Sequence, residues 1–138
     1  MQTQTLTVDT FVRQGAAREW AGKALSGFPA LFLLADGVAK LFKPQVVVES
    51  TMQLGYPESS IVALGAVLVA STLLYLFRPT SVVGAILLTG YLGGAVATHV
   101  RVSNGWFNTL FPVVFGTMLW CGLWLRDARL RALLPLAE

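Results

Sequence analysis

An apolar run from Ser81 to Arg101, SVVGAILLTGYLGGAVATHVR, constrains the fold of this chain more than any other feature. A segment of about 20 apolar residues has the length of one bilayer crossing. Lipid offers no hydrogen-bond partner to the backbone, so a segment of this kind is stable only as a helix or in a closed barrel. The run therefore predicts a transmembrane helix with a polar tip, where His99, the chain's single histidine, stands two residues before Arg101.

Small residues recur along the same run. Gly90 and Gly94 are four residues apart, and Ala97 follows three residues later. Residues at these spacings lie on one side of a helix, and small side chains there let a second helix approach closely. We expect Gly90, Gly94 and Ala97 to serve helix packing.

Three further apolar runs place the chain among membrane proteins. Of its 138 residues 55% are hydrophobic and 12% are charged, whereas about a quarter of the residues of a soluble domain are charged. The length suffices for four crossings with short connections, which we place at about 25–42, 60–77, 81–100 and 106–125. The prediction is all-α: an antiparallel four-helix bundle in the membrane, formed by a single domain over 1–138.

The segments outside these crossings are too polar or too short to span a bilayer. Residues 9–23 are expected to form an amphipathic helix on the membrane surface. Pro44 ends the first crossing, and a short surface helix is expected between the first and second crossings. Residues 126–138 form a basic tail.

The distribution of basic residues predicts the orientation. Seven Lys and Arg residues fall on the face that carries both termini and three fall on the other, which accounts for all ten. Basic residues favour the cytoplasmic side of a membrane. We expect a multi-pass protein of the cell inner membrane with both termini, and the basic tail, in the cytoplasm.

Composition argues against several kinds of chemistry. A single cysteine, Cys121, forms neither an intramolecular disulfide nor a dithiol pair, and a single histidine does not ligate a haem on both sides. We expect no metal site and no cofactor held by the chain itself. The basic residues behind the net charge of +3 stand at the ends of the apolar runs, so the expected partner is the lipid bilayer and not nucleic acid.

Polar residues near the outer ends of the crossings form the candidate ligand-binding set. The antiparallel order brings the ends of the first and third crossings to the same face as the starts of the second and fourth. An ionisable group in a membrane segment costs about 2.5–3.5 kcal/mol unless it is paired or hydrated, and such groups are often functional. The sequence predicts an outward-facing polar pocket with these candidates: Asp36, Lys40, Glu49, Tyr91, His99 and Arg101.

The residues alone leave two interpretations open for most of these groups. Asp36 and Lys40, four residues apart, can neutralise each other, or Asp36 can face the bundle interior as a proton acceptor. His99 is either an interfacial polar residue or a ligand contact. Glu49 is either solvated or a cap over the pocket, and Arg101 either anchors the helix end or binds a phosphate or a quinone oxygen.

Three motifs occur in a recognisable order. LLADGVAKLF contains Asp36, Gly37 and Lys40; MQLGYPES contains a turn over 54–57; GAILLTGYLGGAVATHVR follows after an aliphatic helix. In this order they resemble the DoxX-like family of small four-helix bacterial membrane proteins. The resemblance covers most of the chain, over about 26–125.

The resemblance implies a four-helix membrane bundle and a link to quinone-dependent oxidation, because the family takes its name from a subunit of a thiosulfate:quinone oxidoreductase. One implied function is an accessory or partner subunit of a membrane-associated, quinone-linked oxidoreductase or of an assembly complex. Redox-complex subunits or further copies of the chain would then be its partners. The alternative is a binder of, or an enzyme for, a quinone or lipid-like ligand at the outer pocket.

Overall fold

The computed structural model describes residues 2–135, which form helices joined by short turns. In chain order the helices are α1 (Gln2–Phe42), α2 (Gln45–Gln53), α3 (Ile61–Leu76), α4 (Ser81–Arg101), α5 (Gly105–Arg126) and α6 (Ala128–Leu133). Single 3-10 turns at Glu58–Ser60 and Arg78–Thr80 lead into α3 and α4. The described residues contain no strand, which confirms the predicted all-α fold with a short helix between the first two crossings.

Four helical segments of the described chain are long and apolar enough to cross a bilayer: α1, α5, and α3 and α4 each with the 3-10 turn that leads into it. The chain is therefore a multi-pass integral membrane protein in contact with lipid. The predicted second, third and fourth crossings lie within one residue of the ends of α3, α4 and α5. Their apolar runs are bounded by prolines, glycines and charged residues, and these residues allow the helix ends to be predicted from the sequence.

The first helix differs from the prediction, because α1 joins the segment 9–23 and the first crossing in one helix of 41 residues. At 1.5 Å per residue it is about 60 Å long, about twice the thickness of the hydrocarbon core. Its first buried residue is Gly22, so the N-terminal half projects from the bundle. The helix ends only at Lys43, where φ reaches +53°.

The four spanning helices pack as a square. Helix α1 lies against α3 and α5, and α4 lies against the same two helices. Helices α1 and α4 therefore face each other across the bundle. The contact of α1 with α3 is very close, since a Cβ atom at Gly65 would lie 2.8 Å from the Gly37 carbonyl oxygen.

One end of the bundle, which we call the closed end, is filled by a polar network around Tyr75. This side chain is fully buried, and its hydroxyl donates to the Leu119 carbonyl oxygen at 2.6 Å and lies 3.0 Å from Ser26 Oγ. Arg126 Nε donates to Ser26 Oγ at 3.0 Å, and the guanidinium carbon lies 5.0 Å from the Tyr75 ring centroid. Groups from α1, α3 and α5 are thus tied together inside the membrane segment.

Asp127 separates α5 from α6 at the closed end. Its carboxylate accepts hydrogen bonds from the backbone nitrogen of Arg129 at 2.9 Å and from Arg129 Nη2 at 3.0 Å. These bonds hold the pKa of Asp127 below its ordinary value. Arg129 Nη2 also donates to the Arg78 carbonyl oxygen at 3.2 Å, which fastens α6 to the turn before α4. Of the predicted basic tail, residues 136–138 lie outside the described residues.

Candidate functional site

The opposite end of the bundle, which we call the open end, contains a cavity of about 450 Å³ between α1 and α4. Helix α5 closes one side of this cavity and α2 lies over its mouth. Residues from five helices and from the turn after α2 line it: Phe32, Leu33, Asp36, Lys40, Ser50, Thr51, Leu54, Tyr56, Leu64, Gly90, Tyr91, Leu92, Gly94, Ala95, Thr98, His99, Phe111, Pro112 and Phe115. The cavity is apolar in its depth and polar at its mouth.

Three aromatic rings form an apolar surface of the cavity, which we call the floor; Phe115 is buried, whereas Phe32 and Phe111 are also exposed on the outside of the bundle. The ring centroids of Phe32 and Phe115 are 5.0 Å apart, those of Phe32 and Phe111 are 5.5 Å apart, and those of Phe111 and Phe115 are 4.4 Å apart. Aromatic rings packed edge to face, as Phe32 is against both neighbours, are held in defined positions. The floor is therefore a preformed apolar surface shared by α1 and α5.

On the α1 wall, Asp36 and Lys40 form an ion pair one helical turn apart. The Lys40 side chain is 14% exposed and that of Asp36 is 39% exposed, so the pair lies at the cavity mouth and not in the deep interior. Pairing removes most of the cost of placing two charges in a membrane helix. Of the two interpretations left open for Asp36, the ion pair with Lys40 is formed, and both side chains also line the cavity.

On the α4 wall, Tyr91 and His99 line the same cavity as the ion pair. Both side chains are half-buried. Within residues 2–135 the Tyr91 hydroxyl has no hydrogen-bond partner, and the His99 ring touches Asn104, whose Nδ2 lies 3.1 Å from its Nδ1. The wall therefore offers a phenol and an imidazole to whatever occupies the cavity.

Helix α2 is fastened over the mouth at its C-terminal end. Arg101 Nη2 donates to the Leu54 carbonyl oxygen at 3.0 Å, and Tyr56 Oη and Thr98 Oγ1 share a hydrogen bond of 2.8 Å. The segment between α1 and α3 bends at Lys43 and at Gly55, where φ is +53° and +89°. Two bends and two side-chain bonds thus place α2 across the opening.

Four of the six candidate residues predicted from the sequence meet at this cavity: Asp36, Lys40, Tyr91 and His99. The other two lie outside its lining. Arg101 is an exposed residue that holds the turn after α2, and Glu49 is exposed and accepts a hydrogen bond from Gln45 Nε2 at 2.9 Å. Their predicted ligand contacts stay predictions, and the structure gives each a local partner instead.

The small residues of α4 have a different setting from the one expected. A Cβ atom added at Gly90 or Gly94 would meet no heavy atom within 4 Å in the described chain, and both glycines line the cavity. Ala97 is exposed. The close helix contacts within the bundle use other glycines, such as Gly37, Gly65 and Gly84. Packing of Gly90, Gly94 and Ala97 against a second chain stays a prediction.

Sequence reasoning missed the residues that α2 and its turn bring to the cavity. Thr51 is buried and lines it, as do Tyr56 and Thr98. The sequence did contain a signal, since Thr98 precedes His99 and Tyr56 lies in the turn motif. However, Tyr56 and Thr98 are 42 positions apart in sequence, and only the fold brings their hydroxyl oxygens to 2.8 Å.

Residues 2–135 contain no cluster of three or more His, Cys, Asp or Glu side chains that could hold a metal ion. Cys121 is exposed on α5 and is not a lining residue of the cavity. The chemistry that the open end does offer is hydrogen bonding and proton exchange, through a carboxylate, an ammonium, a phenol and an imidazole.

The sequence profile of the DoxX-like family matches residues 24–122, which include every residue that lines the cavity. Neither a comparison with curated proteins nor one with solved structures gives a match.

Proposed function

The chain belongs to the DoxX-like family, and from this premise and the open-end cavity we propose that it binds a quinone- or lipid-like amphiphile between α1 and α4. The ligand's apolar part would lie on the phenylalanine floor. Its polar head would lie at the mouth, beside Asp36, Lys40, Tyr91 and His99. The observation that carries the proposal is the meeting of these four residues at one cavity with an apolar floor.

The size and the lining of the cavity support a small organic ligand. Ligand-binding cavities commonly measure about 300–1,000 Å³ and combine apolar walls with a few converging polar groups. The open end has this composition, at about 450 Å³. The Tyr91 hydroxyl has no hydrogen-bond partner among residues 2–135 and is accessible within the cavity, so it is available to a polar ligand head.

The polar groups fit the head of a quinone or of a glycerol lipid. Tyr91 and Lys40 can donate hydrogen bonds to carbonyl or ester oxygens, and Asp36 can accept one from a hydroxyl. Asp36 and Lys40 compensate each other, so this pair gives the site no net charge. An uncharged head is therefore favoured over a cationic one.

Native mass spectrometry of the full chain, purified in mild detergent, tests this proposal. We expect a population with one extra mass of a discrete amphiphile, which fragmentation assigns as a quinone or as a lipid. An experimental map should show matching density beside Phe32 and Phe115. A protein without bound amphiphile, in a map whose cavity is filled by its own side chains, would contradict the proposal.

A second candidate function, an accessory or partner subunit of a membrane redox or assembly complex, is favoured by a lateral groove between α4 and α5. We use this name for the surface whose lining residues are Thr89, Leu92, Gly93, Val96, Pro112, Val113, Gly116, Thr117, Trp120 and Cys121. A Cβ atom at Gly93 would meet nothing within 4 Å, and small residues on an open face let a helix of another chain pack closely. Redox-complex subunits or a second copy of this chain would occupy it.

Copurification distinguishes this second candidate from the first. A chain that acts as a subunit is expected to bring a defined partner, or a second copy, out of the membrane. Gly93→Leu fills the lateral groove and should release that partner, whereas Gly94→Leu fills the cavity and should not. A chain that elutes alone in mild detergent would count against the subunit role.

The expected location is the cell inner membrane, with both termini in the cytoplasm, as the distribution of Lys and Arg predicts. This orientation would put the closed end at the cytoplasmic face and the cavity mouth at the outer face. Fusions of alkaline phosphatase or of a green fluorescent protein to the C-terminus test it. Fluorescence without phosphatase activity is the predicted result, and the reverse pattern would invert the orientation.

A further inference from the structure

The turn between α4 and α5 brings Asn104 back onto the end of α4. Ser103 adopts a positive φ of +53°, and the backbone nitrogen of Asn104 donates to the His99 carbonyl oxygen at 3.0 Å. The side chain then reaches the imidazole, with Asn104 Nδ2 3.1 Å from His99 Nδ1. One residue thus contacts both the main chain and the ring of the histidine that lines the cavity.

This contact determines which ring nitrogen carries the proton. An amide nitrogen is a donor only, and a neutral imidazole has one donor and one acceptor nitrogen. If Asn104 donates to Nδ1, that nitrogen accepts, and the proton of the neutral ring is on Nε2. We propose that Asn104 is a positioning residue that fixes the Nε2–H tautomer of His99 and so makes this histidine a hydrogen-bond donor toward the ligand.

The tautomer restricts which polar heads the ligand can have. This restriction rests on the proposed function. With Nδ1 held by Asn104, which does not line the cavity, Nε2 is the nitrogen left to a ligand. The hydroxyl of Tyr91 is a second donor on the same wall. An amphiphile whose head presents uncharged oxygen acceptors, such as a quinone carbonyl or an ester carbonyl, satisfies both groups. An amphiphile whose head only donates hydrogen bonds leaves Nε2–H unpaired.

The chain allows a direct spectroscopic test, because His99 is its single histidine. Labelling with ¹⁵N-histidine gives one Nδ1 and one Nε2 signal, whose shifts distinguish the two neutral tautomers from each other and from the protonated ring in the full-length protein in nanodiscs. Three variants complete the series: Asn104→Ala removes the donor, Asn104→Asp replaces it with an acceptor, and Asn108→Ala is the matched control. The Asn108 side chain donates to the backbone oxygen of Asn104 at 2.8 Å, and not to the His99 ring.

The wild type should have the larger share of Nε2–H. A hydrogen bond of ordinary net strength changes such a ratio by about fivefold, so Asn104→Ala should lower the ratio of Nε2–H to Nδ1–H by about that factor. Asn104→Asp should invert the preference, because a carboxylate accepts from Nδ1–H, and Asn108→Ala should match the wild type. An equal ratio in the wild type and in Asn104→Ala, or an excess of Nδ1–H in the wild type, would overturn the proposal.

Titration with two probes separates this inference from the proposed function. A decyl-tailed benzoquinone should shift the Nε2 signal and bind about fivefold more weakly to Asn104→Asp, because this variant lacks the Nε2–H donor and so loses one hydrogen bond to the quinone. Decylbenzene, which has the tail and no oxygen, should bind both proteins equally. A tautomer change on Asn104→Ala without binding of either probe would support the role of Asn104 and refute the amphiphile site. Equal binding of the quinone to the wild type and to Asn104→Asp would refute the donor role of Nε2–H.

Discussion

At the closed end the Tyr75 hydroxyl lies 2.6 Å from the Leu119 carbonyl oxygen and 3.0 Å from Ser26, whereas at the open end the Tyr91 hydroxyl has no hydrogen-bond partner among residues 2–135. Both tyrosines belong to membrane-spanning helices. The Tyr75 hydroxyl is satisfied inside the bundle and links its helices, whereas the Tyr91 hydroxyl is accessible within the cavity. The difference predicts that Tyr75 contributes more to folding than Tyr91, and under the proposed function Tyr91 is left to contact a ligand.

Truncation of Tyr75 and of Tyr91 should give the largest difference in the free energy of unfolding. Tyr75→Ala leaves a cavity in the packed core and removes the hydrogen bonds to Leu119, so we expect a loss of about 3–5 kcal/mol in the free energy of unfolding. Tyr91→Ala removes a side chain that already faces a cavity, and its cost should stay within about 1 kcal/mol. Reversible unfolding in mixed micelles measures both. Equal losses would end the distinction between the two ends.

Matched glycine substitutions on α4 sharpen the comparison. A Cβ atom at Gly84 would overlap the backbone of Tyr75, so Gly84→Ala should destabilise the bundle by about 1–3 kcal/mol or more. Gly90 lies on the same helix with open space around it, and Gly90→Ala should be neutral or stabilising by up to about 1 kcal/mol through helix propensity. The same unfolding assay applies, and a destabilised Gly90→Ala would show that this face is packed.

The cover of the open end should respond to Arg101. Arg101→Ala removes the donor to the Leu54 carbonyl oxygen, which is worth about 1 kcal/mol and corresponds to about fivefold more frequent opening of α2. Hydrogen exchange of the amides of α2 measures the opening. Arg78→Ala, at the closed end, is the control and should leave exchange in α2 unchanged. Unaltered exchange in Arg101→Ala would show that α2 is held by other contacts.

The smallest expected effect is a pH dependence at the closed end. Arg129 holds the pKa of Asp127 below its ordinary value of 3.8, so this carboxylate contributes stability at higher pH. The contribution is lost as the pH falls below 3.8 and through the folded-state pKa. Asp127→Asn has no carboxylate at this position. Its free energy of unfolding should therefore fall less than that of the wild type between neutral and acidic pH. Identical acid profiles would show that the pair with Arg129 contributes nothing.

Local sequence patterns predict much of the fold. The ends of α3, α4 and α5 follow from apolar runs bounded by Pro, Gly and charges, and the pair of Asp36 with Lys40 follows from helical spacing. The continuity of α1 was not predicted, because the charges over 9–23 indicated a separate surface helix. No residue between that segment and the first crossing forces the helix to end.

The candidate site was predictable only in part. Antiparallel topology places Asp36 and His99 at the same end, but their meeting at one cavity depends on α1 and α4 facing each other across the bundle. The pattern of Gly90 and Gly94 is ambiguous for a physical reason, because a small residue makes room equally for a neighbouring helix and for a cavity. The roles of Tyr56 and Asn104 depend on backbone bends at Gly55 and Ser103 that pattern alone does not fix.

Binding of an amphiphile to two neighbouring glycine variants distinguishes a ligand site at the open end from a surface without a ligand. Gly94 lines the cavity and Gly93 lines the lateral groove, and both have open space where a Cβ would be. By native mass spectrometry in nanodiscs, Gly94→Leu should weaken retention of the amphiphile by about tenfold or more, since its side chain fills the space of several ligand atoms. Gly93→Leu should retain it as the wild type does. Equal retention by both variants, or loss in Gly93→Leu alone, would contradict a ligand site at the open end.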